Sequence, residues 1–163
     1  MTRRSTDVFA TTNPALCALM LWSYCKAYEE QDPRGCEHPL LFIPVPFALS
    51  GKVRDTLAGT NNATGFLNWV QRNPQLALDY PRLLNNTAAM TRAGLVFALA
   101  RDLLTVDDTG HFHPSSTFRP SAKRLKQLGP TVAEATQASA RFGTWLGQLE
   151  RPHTIFHALG VTT

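Results

Sequence analysis

Cys17, Cys25, Cys36 and His38 fall within one stretch of the N-terminal half, and His111 and His113 stand two apart further on. Thiolate and imidazole are the ligands zinc takes in tetrahedral sites, so these residues come first. Their spacing does not suit a metal. Zinc-binding cysteines come in close pairs, usually two such pairs, and neither feature is present here. Cys17 and Cys25 lie two turns apart on a helical pattern, where cysteine serves as a small apolar residue. His111 and His113 would share one side of a strand. No third ligand has a position to complete a site with them. We expect no metal and no cofactor.

Catalysis finds no better footing. The chain has no G-x-S-x-G, no phosphate-binding G-x-x-x-x-G-K-[ST] and no H-E-x-x-H. Asp107-Asp108 is a carboxylate pair, but it sits between two strand patterns, where aspartates form turns. The expectation is a protein that binds and is not itself an enzyme.

Two segments could do the binding. The first is basic. The chain carries a net charge of +4, and the excess lies entirely after residue 110. Arg119, Lys123, Arg124 and Lys126 form a cluster over residues 119–128, where a short helix would present the lysines and Arg124 together. Such a cluster suits phosphate or an acidic partner, with weak, salt-sensitive, non-specific DNA contact as one form of this. The plainer alternative is a solvated surface.

The second is the apolar end of the chain, residues 131–163. Phe142, Trp145, Leu146 and Leu149 fall at i, i+3, i+4 and i+7, one face of a helix. Pro152 breaks that helix, and Ile155, Phe156, Leu159 and Val161 continue the apolar pattern. Chain ends are commonly polar and frayed unless docked. Ser139, Gly143 and Gly147 recur every four residues and would let another backbone come close. That backbone belongs either to this chain or to a partner. Phe142, Trp145, Ile155 and Phe156 are the candidate anchors for a partner.

The elements that must position these residues are mostly helical. Residues 1–11 read as an extended arm. Asn13-Pro14 starts a helix that runs to about Tyr28, where Asp32-Pro33-Arg34-Gly35 supplies a turn. Pro39 to Leu49, with three prolines among apolar residues, predicts a buried irregular or edge-strand segment. A short helix follows over 52–57, then a loop, then helices over 65–72 and 75–84. Pro81 breaks or kinks the latter. Thr87 or Thr91 caps a longer greasy helix to about Leu104. Leu103–Val106 and His111–His113 flank a Gly-containing turn, a hairpin pattern. Ser121–Leu128 is a basic helical turn or two. After Gly129-Pro130, Thr131 caps the last helix, to about Leu149.

Three helices followed by a hairpin suggest a winged-helix-like arrangement. The third of them carries only Arg92 and Arg101, which counts against groove reading. The fold class expected is α+β, mostly α-helical, in one domain over residues 1–163. With 44% hydrophobic and 17% charged residues the chain is a folded, soluble type. Three sparse cysteines, no apolar stretch behind Met1 to Arg4 and no span of membrane length point to the cytoplasm.

The same segments carry a family likeness. NPAL (Asn13–Leu16), LLFIPVPFAL (Leu40–Leu49), Trp69–Pro74 and the Thr91–Leu104 helix entering the hairpin contribute. The most specific part is ARFGTWLGQL (Ala140–Leu149) followed by TIFHALGV (Thr154–Val161). In these the chain resembles the middle component of bacterial three-component ABC systems. The resemblance implies a non-enzymatic accessory subunit. It would link an SMC-like ABC ATPase to an effector subunit in anti-phage or anti-plasmid defence. The competing reading is a free-standing winged-helix-type DNA-binding regulator. Whether copies self-associate is left open.

Overall fold

The computed structural model describes residues 13–161; the expected arm over 1–11 lies outside them. Helix α1 (Pro14–Gln31) opens as its sequence dictates. The Asn13 side chain accepts a hydrogen bond from the Ala15 amide at 3.0 Å, and Pro14 needs no amide partner at the first position. Ten of its residues are buried, on all sides of the helix, and its first charged residue is Lys26. Such a helix belongs in the middle of a domain, and here it does lie there.

The turn after α1 closes with the Gly35 amide on the Asp32 carbonyl (3.2 Å), and Gly35 takes φ +89°. The two-residue strand β1 (Cys36–Glu37) follows, then a 3-10 turn over His38–Phe42, helix α2 (Pro44–Leu49) and helix α3 (Gly51–Asp55). The proline-rich segment is therefore buried as expected, but it is helical and not an irregular or edge strand. Pro39 sits in the first turn of the 3-10 segment, and Pro44 and Pro46 in the first turn of α2. The first four amides of a helix have no partner within it, so a proline there loses nothing. The carbonyls of this segment are met from outside. Tyr24 donates its hydroxyl to the Leu40 carbonyl (2.9 Å) and Tyr80 to the Phe42 carbonyl (3.1 Å).

Helix α4 (Phe66–Arg72) leads to helix α5 (Gln75–Ala100), which is unbroken. The expected stop near residue 84 and the new cap at Thr87 or Thr91 are absent. Pro81 is accommodated inside α5, and Thr91 is a buried residue on its inner face. The three successive helices on which the winged-helix reading rested are therefore two. Strands β2 (Leu104–Val106) and β3 (His111–Pro114) form the expected hairpin. β1 adds to β3, pairing Cys36 with Phe112 and Glu37 with His111, so the sheet is three-stranded, antiparallel, in the order β1-β3-β2. Helix α6 (Ala122–Gln127), helix α7 (Pro130–Gly147), a 3-10 turn at Pro152–Thr154 and helix α8 (Ile155–Ala158) follow among the described residues.

Glycine sets how closely α1 is clasped. A Cβ on Gly94 of α5 would lie 2.5 Å from the Cys17 Cβ. One on Gly143 of α7 would overlap the Tyr24 carbonyl oxygen, and one on Gly147 would lie 2.7 Å from the Tyr28 carbonyl oxygen. Residues 24 and 28 of α1 thus meet 143 and 147 of α7 in the same order, so the two helices run parallel.

The result is an α+β domain, mostly helical, with its core around α1. An aromatic cluster of Phe47, Phe66, Trp69, Tyr80, Phe142 and Trp145 fills the space between α2, α4, α5 and α7, with ring centroids 5.1–6.0 Å apart. Among the described residues, no helix is long and apolar enough to cross a membrane.

Candidate functional site

The small-residue stripe of α7 has found its backbone: it is α1 of the same chain. The residues expected to anchor a partner follow from that. Phe142, Trp145 and Ile155 are fully buried. Phe142 and Trp145 are members of the aromatic cluster, with Trp69 at 5.2 and 5.7 Å. These three have no surface to offer in this conformation, because their own domain covers them. Phe156 is half-buried against the core.

Trp145 and its polar neighbours Arg141 and Gln148 fix a loop. The Trp145 indole donates to the Asn61 carbonyl (3.0 Å), Arg141 to the Thr60 hydroxyl (3.0 Å) and Gln148 to the Asn62 carbonyl (3.3 Å). Trp69 donates to the Thr56 hydroxyl from the other side (2.9 Å). The 56–62 loop is thereby tied to α7, with Arg141 stacked 5.9 Å over the Trp145 ring.

The basic segment stands differently. Phe118 packs edge-on against the buried Trp22, centroids 5.3 Å apart, and so sets where the segment leaves the body. Arg119 then donates to the Ser116 carbonyl (3.1 Å). Ser121 caps α6 by accepting the Arg124 amide at 3.1 Å. None of the residues of α6 is buried. Arg119, Lys123, Arg124 and Lys126 are all exposed, and among the described residues none has a carboxylate within 4 Å. Leu128 beside them is 56% exposed. The structure thus displays all four cations expected as contacts, uncompensated, next to an apolar side chain. Unscreened charge of one sign attracts an acidic or phosphate surface over about 8–10 Å.

Asp107 and the three cysteines make their contacts within the domain. The Asp107 carboxylate takes the Thr109 hydroxyl (2.6 Å), the Thr109 amide (2.9 Å) and the His111 amide (3.0 Å) through one oxygen, and His113 Nε2 (2.8 Å) through the other. The Thr109 and His113 bonds, with the backbone amides, hold this carboxyl well below the usual range. Cys17, Cys25 and Cys36 are buried free thiols. Burial pushes Cys17 up to about 11; a hydrogen bond with Cys36, then burial, raises Cys25. A protonated buried thiol is a poor nucleophile and a poor ligand. Among the described residues, no three of His, Cys, Asp or Glu gather as a metal site would need.

The sequence model of one protein family, the ABC-three component (ABC-3C) system Middle Component 3, matches residues 1–163, the whole chain. The chain belongs to that family. No curated protein and no solved structure matches it. A Middle Component 3 chain is a middle component of a three-component ABC system, an accessory part whose partners are the other components of that system.

One polar feature of this Middle Component 3 chain escaped the sequence reading. Tyr28, Asp32, Arg34, Glu37, His111, Glu150 and His153 line a common cleft. They come from three separate stretches of the chain, 28–37, 111 and 150–153. The only local signal, Asp32-Pro33-Arg34-Gly35, reads simply as the end of a helix.

Proposed function

We propose that this chain is a non-enzymatic accessory subunit that links an SMC-like ABC ATPase to an effector subunit in a bacterial anti-phage or anti-plasmid defence system, acting in the cytoplasm. Membership of the middle-component family is the observation that carries the reading. The fold is consistent with it. The three thiols are buried, the Asp107 carboxylate is engaged by its own hairpin, and the cations of the α6 cluster have no carboxylate within 4 Å among the described residues. That surface would dock an acidic patch of the ATPase or effector through Arg119, Lys123, Arg124 and Lys126.

Co-expression with the ABC ATPase of the same system tests the reading. We expect stable co-purification at low salt, and at least a tenfold loss of affinity when Lys123, Arg124 and Lys126 are all changed to alanine. That is about 1.4 kcal/mol over three rim contacts. Retention of the complex by the triple variant would move the contact elsewhere. Tight, salt-dependent DNA binding by the isolated chain, abolished by the same variant, would favour the regulator.

A further inference from the structure

The cleft lies where two helices end together. Because α1 and α7 run parallel, their carboxyl ends, at Gln31 and Gly147, share one end of the molecule. Each end carries about half a negative charge in its last turn. The cleft, of about 180 Å³, is lined by Tyr28 and Asp32 from the end of α1, Arg34 and Gly35 from the turn, Glu37 of β1 and His111 of β3. Glu150, Pro152 and His153 from beyond α7 complete it.

Its charges are unequal. Arg34 pairs with Asp32, through Nε to Oδ1 (3.0 Å) and Nη2 to Oδ2 (2.9 Å), so that pair is neutral. Glu37 and Glu150 remain. Glu37 has only His111 Nε2 at 4.0 Å, and Glu150 has no cation within 4 Å among the described residues. The unpaired Glu150, and Glu37 only loosely paired with His111, beside two helix carboxyl ends make the cleft a place for positive charge.

Tyr28 supplies an independent sign. It is 2% exposed and lines the cleft, and its hydroxyl has no hydrogen-bond partner among the described residues. Burial, then the nearby Cys36, Asp32 and Glu37, push this phenol above its usual range, so it stays an O–H that can also accept. A hydroxyl that borders the cleft with no protein partner is free to bond what enters it.

We propose that this cleft receives an arginine or lysine side chain from a segment of a partner protein. Glu37 and Glu150 meet the charge, and the Tyr28 oxygen accepts one N–H at the floor. The volume suits a guanidinium or ammonium head with its last methylene groups, and is too small for a folded element. Among the described residues no three of His, Cys, Asp or Glu gather there as a metal ion would need. The contact is separate from the α6 surface and is measured on the isolated chain. It can therefore fail while the accessory reading stands, and the reverse.

The probe is a short glycine-flanked peptide carrying two arginines, titrated into isotope-labelled protein at low salt. Its control has both arginines replaced by citrulline, the neutral near-isostere. We expect saturable amide shifts confined to residues 28–37, 111 and 150–153 with the arginine peptide, and none with citrulline. Glu37→Gln with Glu150→Gln should weaken binding about tenfold, and Tyr28→Phe by a few-fold, without moving the thermal midpoint of the free protein. Equal binding of the citrulline peptide would overturn the assignment. So would shifts centred elsewhere, or unchanged affinity in the double variant. Self-association of the wild type that disappears in the double variant would overturn the assignment to a different partner. Should the double variant not fold, the citrulline comparison alone decides.

Discussion

Replacing Gly143 with alanine sets two known effects against each other. In an exposed helix, alanine is better than glycine by about 1 kcal/mol. In α7 the new carbon would overlap the Tyr24 carbonyl oxygen, lie 3.0 Å from its carbon and lie 3.1 Å from the Ala27 Cβ. The first two obstacles are backbone of a buried helix and cannot rotate away. α7 must therefore move off α1, and a gap of roughly 0.5–1 Å already forfeits a quarter to a half of each dispersion contact. Overpacking of this kind costs about 1–3 kcal/mol, and the top of that range applies where backbone is the obstacle. The balance is a loss of about 2 kcal/mol after the propensity gain, or about 4–8 °C in thermal midpoint for a chain of this size. Urea titration followed by the fluorescence of Trp69 and Trp145 measures it. Gly51→Ala is the control, since a Cβ there meets only Arg54 Nη2 at 3.7 Å; it should be neutral or stabilising. A Gly143→Ala chain as stable as wild type would refute the reasoning, because it would mean that α1 and α7 are not held in this contact in solution.

The Lys123, Arg124 and Lys126 triple alanine variant should unfold within about 0.5 kcal/mol of wild type, as exposed unpaired cations contribute little to folding; a larger loss by urea titration would make the segment structural. Asp107→Asn should destabilise at neutral pH. The native carboxyl is held below its unfolded value of about 3.9, so its contribution is present above that value and is lost as pH falls through the lower native value. The gap between wild type and variant should therefore shrink in acid, read as urea midpoints from pH 7 down to 3. With the Cys17 thiol pushed up to about 11 and all three cysteines buried, native protein at pH 8 should resist iodoacetamide while urea-unfolded protein takes three labels. Rapid native labelling would contradict the packing of α1.

The helical class, the hairpin, the cap at Asn13 and the α6 cluster were legible because each is written in neighbouring residues. The misses share a cause. Proline looked like a breaker at 39–49 and at 81. Yet Pro44 and Pro46 occupy a first turn that needs no amide, and Pro81 lies within the unbroken α5. Strand β1 is two residues long and exists only because β3 offers it an edge. The end of α5 was placed late, since Leu103 and Leu104 prolong the apolar pattern. In fact Asp102 turns left-handed (φ 59°) and the Leu103 amide returns to the Ala98 carbonyl at 2.8 Å, which closes the helix. Phe142, Trp145 and Ile155 show the limit most plainly. An apolar stripe must be covered, but periodicity does not name the cover. The glycines that admit α1 decide the matter, and only once the distances are known.

The placement of the two charged regions bears on how such a subunit could join two partners. α6 immediately precedes α7, and Glu150 lies three residues past its end. Eighteen residues at about 1.5 Å each put the basic helix and the acidic cleft about 27 Å apart along a rigid helix. The screening length at physiological salt is about 8 Å, so charge neutralised at one end is barely felt at the other. Each contact should then form with its own salt dependence, undiminished by the other. Measured separately, the α6 contact and the cleft contact should give salt slopes that are the same with the opposite region intact or neutralised. Slopes that change together would require a path other than the field, and the α1–α7 clasp at Gly143 and Gly147 is the element through which it would run.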